Sequence, residues 1–363
     1  MTDSSPGPTE DLARLQAVIA EHRALMADNP DNLYPVFADS LMGLAVALAE
    51  DGHHGEALAA AEEGVEHFRH LEAADPAAFR VHLASALNNF SNRLTDAERD
   101  DDARRACEES VRMASEALAD PNPVQARFVL VSALMNQSGR SWRMGEPDRA
   151  IGEMEAAVDA FRDGGEALNQ FLGVMVDALH KNAMALAEAN RWDEAIAIRR
   201  MTGKLFPAPT PAPVSHLLAL TLEHAAFAHS RAGQPGQSLP LVEEAVELSR
   251  GLAQAEPEQY TLFLAQSLSN MASRQFEAGA SPQALEAALE AIKLYQDAAH
   301  INASDTVVPL AMTLETFANI LASLGHEEQA RTVMAQRDEL LEIARQVEGV
   351  DDHQHGDGCG CGH

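Results

Sequence analysis

One short pattern recurs seven times along the 363-residue chain and constrains its fold more than any other feature. In order the strings are LAVALAEDGHHGEAL, FSNRLTDAERDDDAR, QSGRSWRMGEPDRAI, NAMALAEANRWDEAI, AAFAHSRAGQPGQSL, MASRQFEAGASPQAL and FANILASLGHEEQAR. Their turn residues are Gly52, Glu98, Gly145, Asn190, Gly233, Gly279 and Gly325, with successive spacings of 46, 47, 45, 43, 46 and 46. Glycine and asparagine tolerate a positive φ and can close one helix before another begins. Five residues after the turns come Ala57, Ala103, Ala150, Ala195, Ser238, Ala284 and Ala330; seven before them come Ala45, Ser91, Ser138, Ala183, Ala226, Ala272 and Ala318. Small side chains at both offsets let two antiparallel helices approach at the short end of the roughly 8–10 Å range for helix packing.

The stretches between these strings are amphipathic. In GEALAAAEEGVEHFRHL, Leu58, Ala61, Val65, Phe68 and Leu71 form one stripe at offsets of three and four, with Glu62, Glu63 and Glu66 outside it. Pro30, Pro76, Pro121, Pro123, Pro213 and Pro257 fall at the joints, where a missing amide proton costs little. The spacing predicts an all-α chain of about fifteen helices, an opening one near residues 11–27 followed by seven antiparallel pairs. Residues 1–10 are expected to be disordered, 11–347 to form the repeat domain, and 348–363 to be a flexible tail. MTGKLFPAPTPAPVS, residues 201–215, is the one long connection and the expected joint.

The bulky and small pair, the turn residue and the small positions after it, as in GHHGEAL, GEPDRAI, NRWDEAI and GHEEQAR, resemble the tetratricopeptide repeat over about residues 35–345. Unlike that family's usual pattern, the period here is longer, about 46 residues, a large aromatic after the turn is mostly absent, and Glu98 replaces one glycine. The resemblance implies a right-handed superhelical solenoid of about seven hairpins whose inner helices line a groove for peptides or partner proteins. It places groove positions three, six and ten residues before each turn. Asn88, Asn92, Trp142, His180, Met184 and Asn319 stand there, with Arg143, Lys181 and Arg231 beside them. The three basic residues either hold a carboxylate of a partner or pair with neighbouring acids, as Arg143 would with Glu146. Some members of the family hold a terminal carboxylate in a Lys/Asn/Lys/Arg clamp; Asn88 and Asn92 fit it superficially, whereas Met42, Met135 and Gly139 do not. Asn89, Asn136 and Asn270, nine residues before their turns, either bond across hairpins and set their stagger or contact a ligand.

Charge narrows the partners further. With 26 basic against 56 acidic residues the net charge is -30, which repels nucleic acid and anionic membranes. No phosphate-cradling, metalloprotease or nucleophile-elbow motif is present, so a non-enzymatic scaffold or adaptor is expected. The opening MTDSSPGPTEDL carries neither a basic region nor an apolar run, and the expected location is the cytoplasm. No cofactor is expected in the repeats. The last residues, GVDDHQHGDGCGCGH, differ: His353, His355, Cys359, Cys361 and His363 could wrap one soft ion such as Zn, Cu(I) or Ni. Two other readings stay open, an exposed dithiol for modification or redox exchange and a tail unrelated to metal on a regulatory or assembly scaffold.

Overall fold

The computed structural model describes residues 8–26, 30–299 and 303–354. Fifteen α-helices are described: α1 (Pro8–Met26), α2 (Pro30–Glu50), α3 (His54–Ala74), α4 (Pro76–Asp96), α5 (Asp100–Glu116), α6 (Val124–Arg143), α7 (Pro147–Asp163), α8 (Leu172–Glu188), α9 (Trp192–Lys204), α10 (Ala212–Arg231), α11 (Pro235–Ala255), α12 (Pro257–Glu277), α13 (Ser281–Ala299), α14 (Ala303–Ser323) and α15 (Glu327–Gln354). The chain is all-α, an opening helix followed by seven hairpins, and no strand occurs among the described residues. Two compact units divide at Asp177 and Ala178, ahead of the connection at residues 201–215.

The turns explain why the hairpins form. Gly52, Glu98, Gly145, Asn190, Gly233, Gly279 and Gly325 all have φ between 58° and 84°. At each one, the next residue's N–H donates to the carbonyl five residues before it, as from His53 to Leu48 at 2.8 Å and from Arg99 to Leu94 at 2.9 Å. The left-handed residue itself donates to the carbonyl three before, as from Gly52 to Ala49 at 3.1 Å. This paired closure satisfies carbonyls that the helix end leaves open and reverses the chain. Proline starts α2, α4, α7, α11 and α12, where its fixed φ suits a first turn; Pro35, Pro240 and Pro309 lie inside helices.

All fourteen small positions flanking the turns are buried, Ala330 being the most exposed at 7%. Their roles are reciprocal. Ser138 Oγ donates to the carbonyl of Ala150 at 2.8 Å, and Ser238 Oγ donates to that of Ala226 at 2.8 Å, so the position seven before a turn meets the one five after it. In the first unit successive helices from α1 to α7 pack on one another, and α2, α4 and α6 also touch directly. In the second unit the same holds from α9 to α15, with α10, α12 and α14 in direct contact. Each unit is an α-solenoid of antiparallel hairpins with its even-numbered helices on the more closely packed side.

The outer helices spend the acidic excess. Arg69 on α3 grips Glu109 on α5 with two bonds of 2.5 and 2.6 Å, and Arg149 on α7 reaches Glu108 at 2.7 Å. In the second unit Arg200 reaches Glu244 at 2.6 Å, and Arg250 reaches Glu290 at 2.5 and 2.9 Å. Such exposed pairs contribute about 0–1 kcal/mol each, so they tune the stacking that the buried alanines establish. One window, Asp305–Ser323 in α14, is long and apolar enough to cross a membrane by length and composition, and 44% of it is buried within the fold.

Candidate functional site

In the first unit the inner face is built by α4 and α6. Asn136 Nδ2 on α6 donates to Asn88 Oδ1 on α4 at 3.0 Å, which sets the stagger of the two hairpins. Four residues further along α6, one turn of helix, Arg140 follows on the same face. Its Nε donates to Thr95 Oγ1 at 3.1 Å, and its Nη2 donates to Ser91 Oγ and Asn92 Oδ1, both at 2.8 Å. The residue is only 4% exposed, and Nη1 is buried without a hydrogen-bond partner. No carboxylate pairs with it among the described residues; burial holds the guanidinium below its ordinary value, the nearby Cys107 raises it, and Arg143 lowers it again. Neutral oxygens hold this cation in place without cancelling its charge. A hollow of about 330 Å³ opens beside it, lined by Asn92, Asn136, Gly139, Arg140 and Arg143 among others.

In the second unit α10 and α12 repeat the arrangement with other residues. Asn270 Nδ2 donates to Glu223 Oε2 at 2.9 Å, the same offset pair as Asn136 and Asn88. Behind it runs a chain in one direction: Tyr295 Oη–H donates to Gln266 Oε1 at 3.2 Å, and Gln266 Nε2 donates to Asn270 Oδ1 at 3.1 Å. Each bond points toward the carboxylate and polarises the next. Glu223 Oε1 is buried without a partner, and burial raises the carboxyl above its ordinary value. Phe227, 52% exposed, stands next to it, with the Arg274 and Arg231 guanidinium carbons 5.5 and 5.9 Å from its ring centroid. Phe227 and Arg274 are shared by two hollows of about 210 and 550 Å³.

The predicted groove residues divide between these faces. Asn88, 8% exposed, and half-buried Asn92 serve the stagger and the cradle of Arg140. Arg143 is exposed on the same hollow, and Glu146 pairs with Arg104 at 3.0 Å and Arg149 at 3.7 Å instead of with it. Trp142 is half-buried on α6. His180 on α8 is bound through Nδ1 by Arg199 Nη1 at 2.8 Å, while Lys181 and Met184 are exposed on that helix. Arg231 lies over Phe227, and Asn319 is exposed on α14, away from both hollows. Arg140 and Arg274 were not among the expected residues. Their signal is a shared offset, five residues before the turn, in QSGR and MASR.

The metal expectation is corrected. Among the described residues no group of three or more His, Cys, Asp or Glu is placed to hold an ion, and Zn, Cu(I) and Ni are withdrawn as cofactors. A soft-metal site needs about four donors converging on one point, and the acids of the repeats are instead spent in ion pairs between outer helices. His355, Cys359, Cys361 and His363 lie outside the described residues. His353 falls within α15, which continues to Gln354, and its side chain also lies outside them. Cys107 is buried; burial pushes its thiol above the ordinary value, the wrong direction for a nucleophile.

Among curated proteins nothing matches the chain. Of solved structures, BtubC (BKLC) from P. vanneervenii is 14% identical, with 70% of this chain and 94% of that one covered at a TM-score of 0.42. A circular tandem repeat protein is 16% identical, with 96% and 92% covered at 0.40. YrrB, described as a TPR protein with an unusual peptide-binding site, is 17% identical, with 65% and 97% covered at 0.33. The family model for the tetratricopeptide repeat matches residues 83–123. That unit of about 40 residues is shorter than the 46-residue period expected for the family likeness, and it replaces the broader span of residues 35–345. It runs from within α4 to the residue before α6, and so contains the Ser91, Asn92 and Thr95 that cradle Arg140.

Proposed function

We propose that this protein is a non-enzymatic scaffold of the cytoplasm whose inner helices hold a peptide or a segment of a partner protein, with residues 11–347 as the binding module. One observation carries the reading: arginines of the outer helices pair with acids from hairpin to hairpin, whereas two charged groups of the inner helices, Arg140 and Glu223, make no ion pair among the described residues. Arg140 and Glu223 each sit on an inner helix with a buried polar atom unpartnered and no opposite charge paired with them. A fold that pairs so many of its exposed arginines gains nothing in stability from leaving these two groups uncompensated. Burial of a partner's polar groups against them supplies what the chain withholds. The exposed ring of Phe227 adds the kind of aromatic anchor that dominates binding energy at interfaces. Asn92, Trp142 and Arg143 in the first unit, and His180, Lys181, Met184, Arg231 and Asn319 in the second, extend the contact set.

The test is selection of peptides by display against the full chain, followed by fluorescence anisotropy on the enriched sequences. Phe227→Ala or Arg143→Gln should weaken an enriched peptide about tenfold, the consequence of losing roughly 1.4 kcal/mol. Glu62→Ala, exposed on α3, should leave it unchanged. Failure to enrich any sequence over unfolded protein overturns the proposal. So does an affinity that follows Glu62 and ignores the inner helices.

A further inference from the structure

We propose that the hollow between α10 and α12 receives an ammonium group from a basic partner, with Glu223 as its acceptor; this rests on the peptide-binding reading above and names the chemistry of one subsite. The two carboxylate oxygens of Glu223 are not equivalent. Oε2 is the terminus of the chain that starts at Tyr295 and passes through Gln266 and Asn270, with bonds of 3.2, 3.1 and 2.9 Å. Oε1 is buried with no donor within hydrogen-bond distance; burial raises the carboxyl above its ordinary value, and Ser267 and His224 act against that larger effect and lower it. The chain therefore fixes the carboxylate in place while leaving one buried acceptor without a donor at the wall of the hollow, which is the arrangement of a preorganised binding group.

Charge selects the ligand. The hollow is lined by Glu223, His224, Phe227, Asn270 and Arg274. Arg274 is engaged already, pairing with Glu277 at 3.0 Å and covering Phe227 at 5.5 Å, and it makes no ion pair with Glu223. The carboxylate thus makes no ion pair among the described residues, His224 being the one neighbouring group whose charge acts to lower it, and a ligand that brings three N–H donors and a positive charge supplies both a donor for Oε1 and a full counter-charge. An aromatic face beside the acceptor suits the aliphatic stem of a lysine side chain and its ammonium alike. At longer range the net charge of -30 raises the local concentration of basic segments and speeds their arrival. A carboxylate ligand would meet both Glu223 and that field.

The experiment uses the full chain and an array of nine-residue peptides on one neutral background, acetylated and amidated, whose central residue is Lys, norleucine or Glu. A parallel set leaves the N-terminus free with norleucine at the centre, which separates a side-chain ammonium from a terminal one. Lys peptides or free-terminus peptides should bind at least tenfold more tightly than their capped norleucine counterparts. Glu223→Gln keeps the acceptor for Asn270 and should erase that preference. Glu62→Ala, exposed on α3 in the other unit, should leave the preference intact. Equal binding of the Lys, free-terminus and norleucine members overturns the proposal, as does a preference that survives Glu223→Gln. If the array is silent while display against the same protein yields binders, this assignment fails and the peptide-binding reading stands. If both are silent, both fail.

Discussion

The α4 and α6 face of the first unit and the α10 and α12 face of the second are built on one register and end with opposite charge. In both, an asparagine nine residues before the turn reaches the residue ten before the previous turn, Asn136 to Asn88 at 3.0 Å and Asn270 to Glu223 at 2.9 Å. In both, an arginine five before the turn leans back over the previous hairpin. Three substitutions separate the outcomes, one of them the loss of the Ser91 hydroxyl at the equivalent Ala226. Where the first unit has Asn92, its amide joins Ser91 and Thr95 in sinking Arg140 out of solvent. The second unit has Phe227 there, so Arg274 lies over a ring and turns to Glu277. Where the first has Asn88 the second has Glu223, and a neutral amide pair becomes a buried carboxylate. The repeat sets the geometry, and a few side chains per hairpin set the chemistry.

If both faces rest on the same scaffold, damage to it costs the same in each. Ala150 and Ala226 are fully buried and face Ser138 and Ser238. Ala150→Leu and Ala226→Leu should each cost about 3 kcal/mol by overpacking, measured by urea unfolding. A gap of more than about 1 kcal/mol between them would show that the hairpins of the two units do not share one packing rule.

The stagger bonds should then differ, because they end on different groups. Asn136→Leu strands a neutral amide oxygen and should cost about 1 kcal/mol; Asn270→Leu strands a buried carboxylate and should cost about 2 kcal/mol. Equal losses would break the contrast between the faces. Glu223 sharpens it through pH. Burial raises its folded carboxyl above the ordinary 4.5, so the folded chain holds the proton more tightly than the unfolded one. That contribution is fully present in acid and is lost as pH rises from the unfolded value through the folded one. Glu223→Gln should remove the decline, leaving the variant more stable than the parent at pH 7.5 and by a smaller margin at pH 4. A parent and variant with parallel stability curves over that range would show that the carboxylate is not held against its charge.

Much of this was legible in the residues. The turns, the fourteen small positions and the count of helices follow from local rules, because a left-handed closure and a close helix contact each tolerate few residue types. Asn136 and Asn270 announced a cross-hairpin role by recurring at one offset where helices disfavour asparagine. Arg140 was hidden for the opposite reason. An arginine in an acidic chain reads as a solvated cation, and only the approach of α4 to α6 shows it 4% exposed with neutral oxygens around it. The stretch GVDDHQHGDGCGCGH misled because ligand types crowded in sequence do not specify a point of convergence, whereas Glu223 on α10 has its chain of donors from α12 and α13, the one that reaches it lying 47 residues on in the sequence.

The smallest effect probes the frame itself. Glu98 and Asn190 occupy the left-handed conformation at φ 59° and 58°, where the other five turns have glycine. Glu98 closes the first half of the α4 and α5 hairpin, directly after the segment that cradles Arg140, whereas Gly233 closes the equivalent turn after α10. A side chain other than asparagine or aspartate in that conformation costs about 1 kcal/mol against glycine, and glycine returns part of that through the greater entropy of the unfolded chain. Glu98→Gly should therefore stabilise the protein by about 0.5 kcal/mol, and Gly233→Ala should destabilise it by about 1 kcal/mol, both by urea unfolding. Neither change touches an inner-face residue, so peptide affinity should hold in both. A shift in affinity with Glu98→Gly would mean that the strained turn helps position Asn92 and Thr95, and that the two faces differ in their frames as well as in the side chains mounted on them.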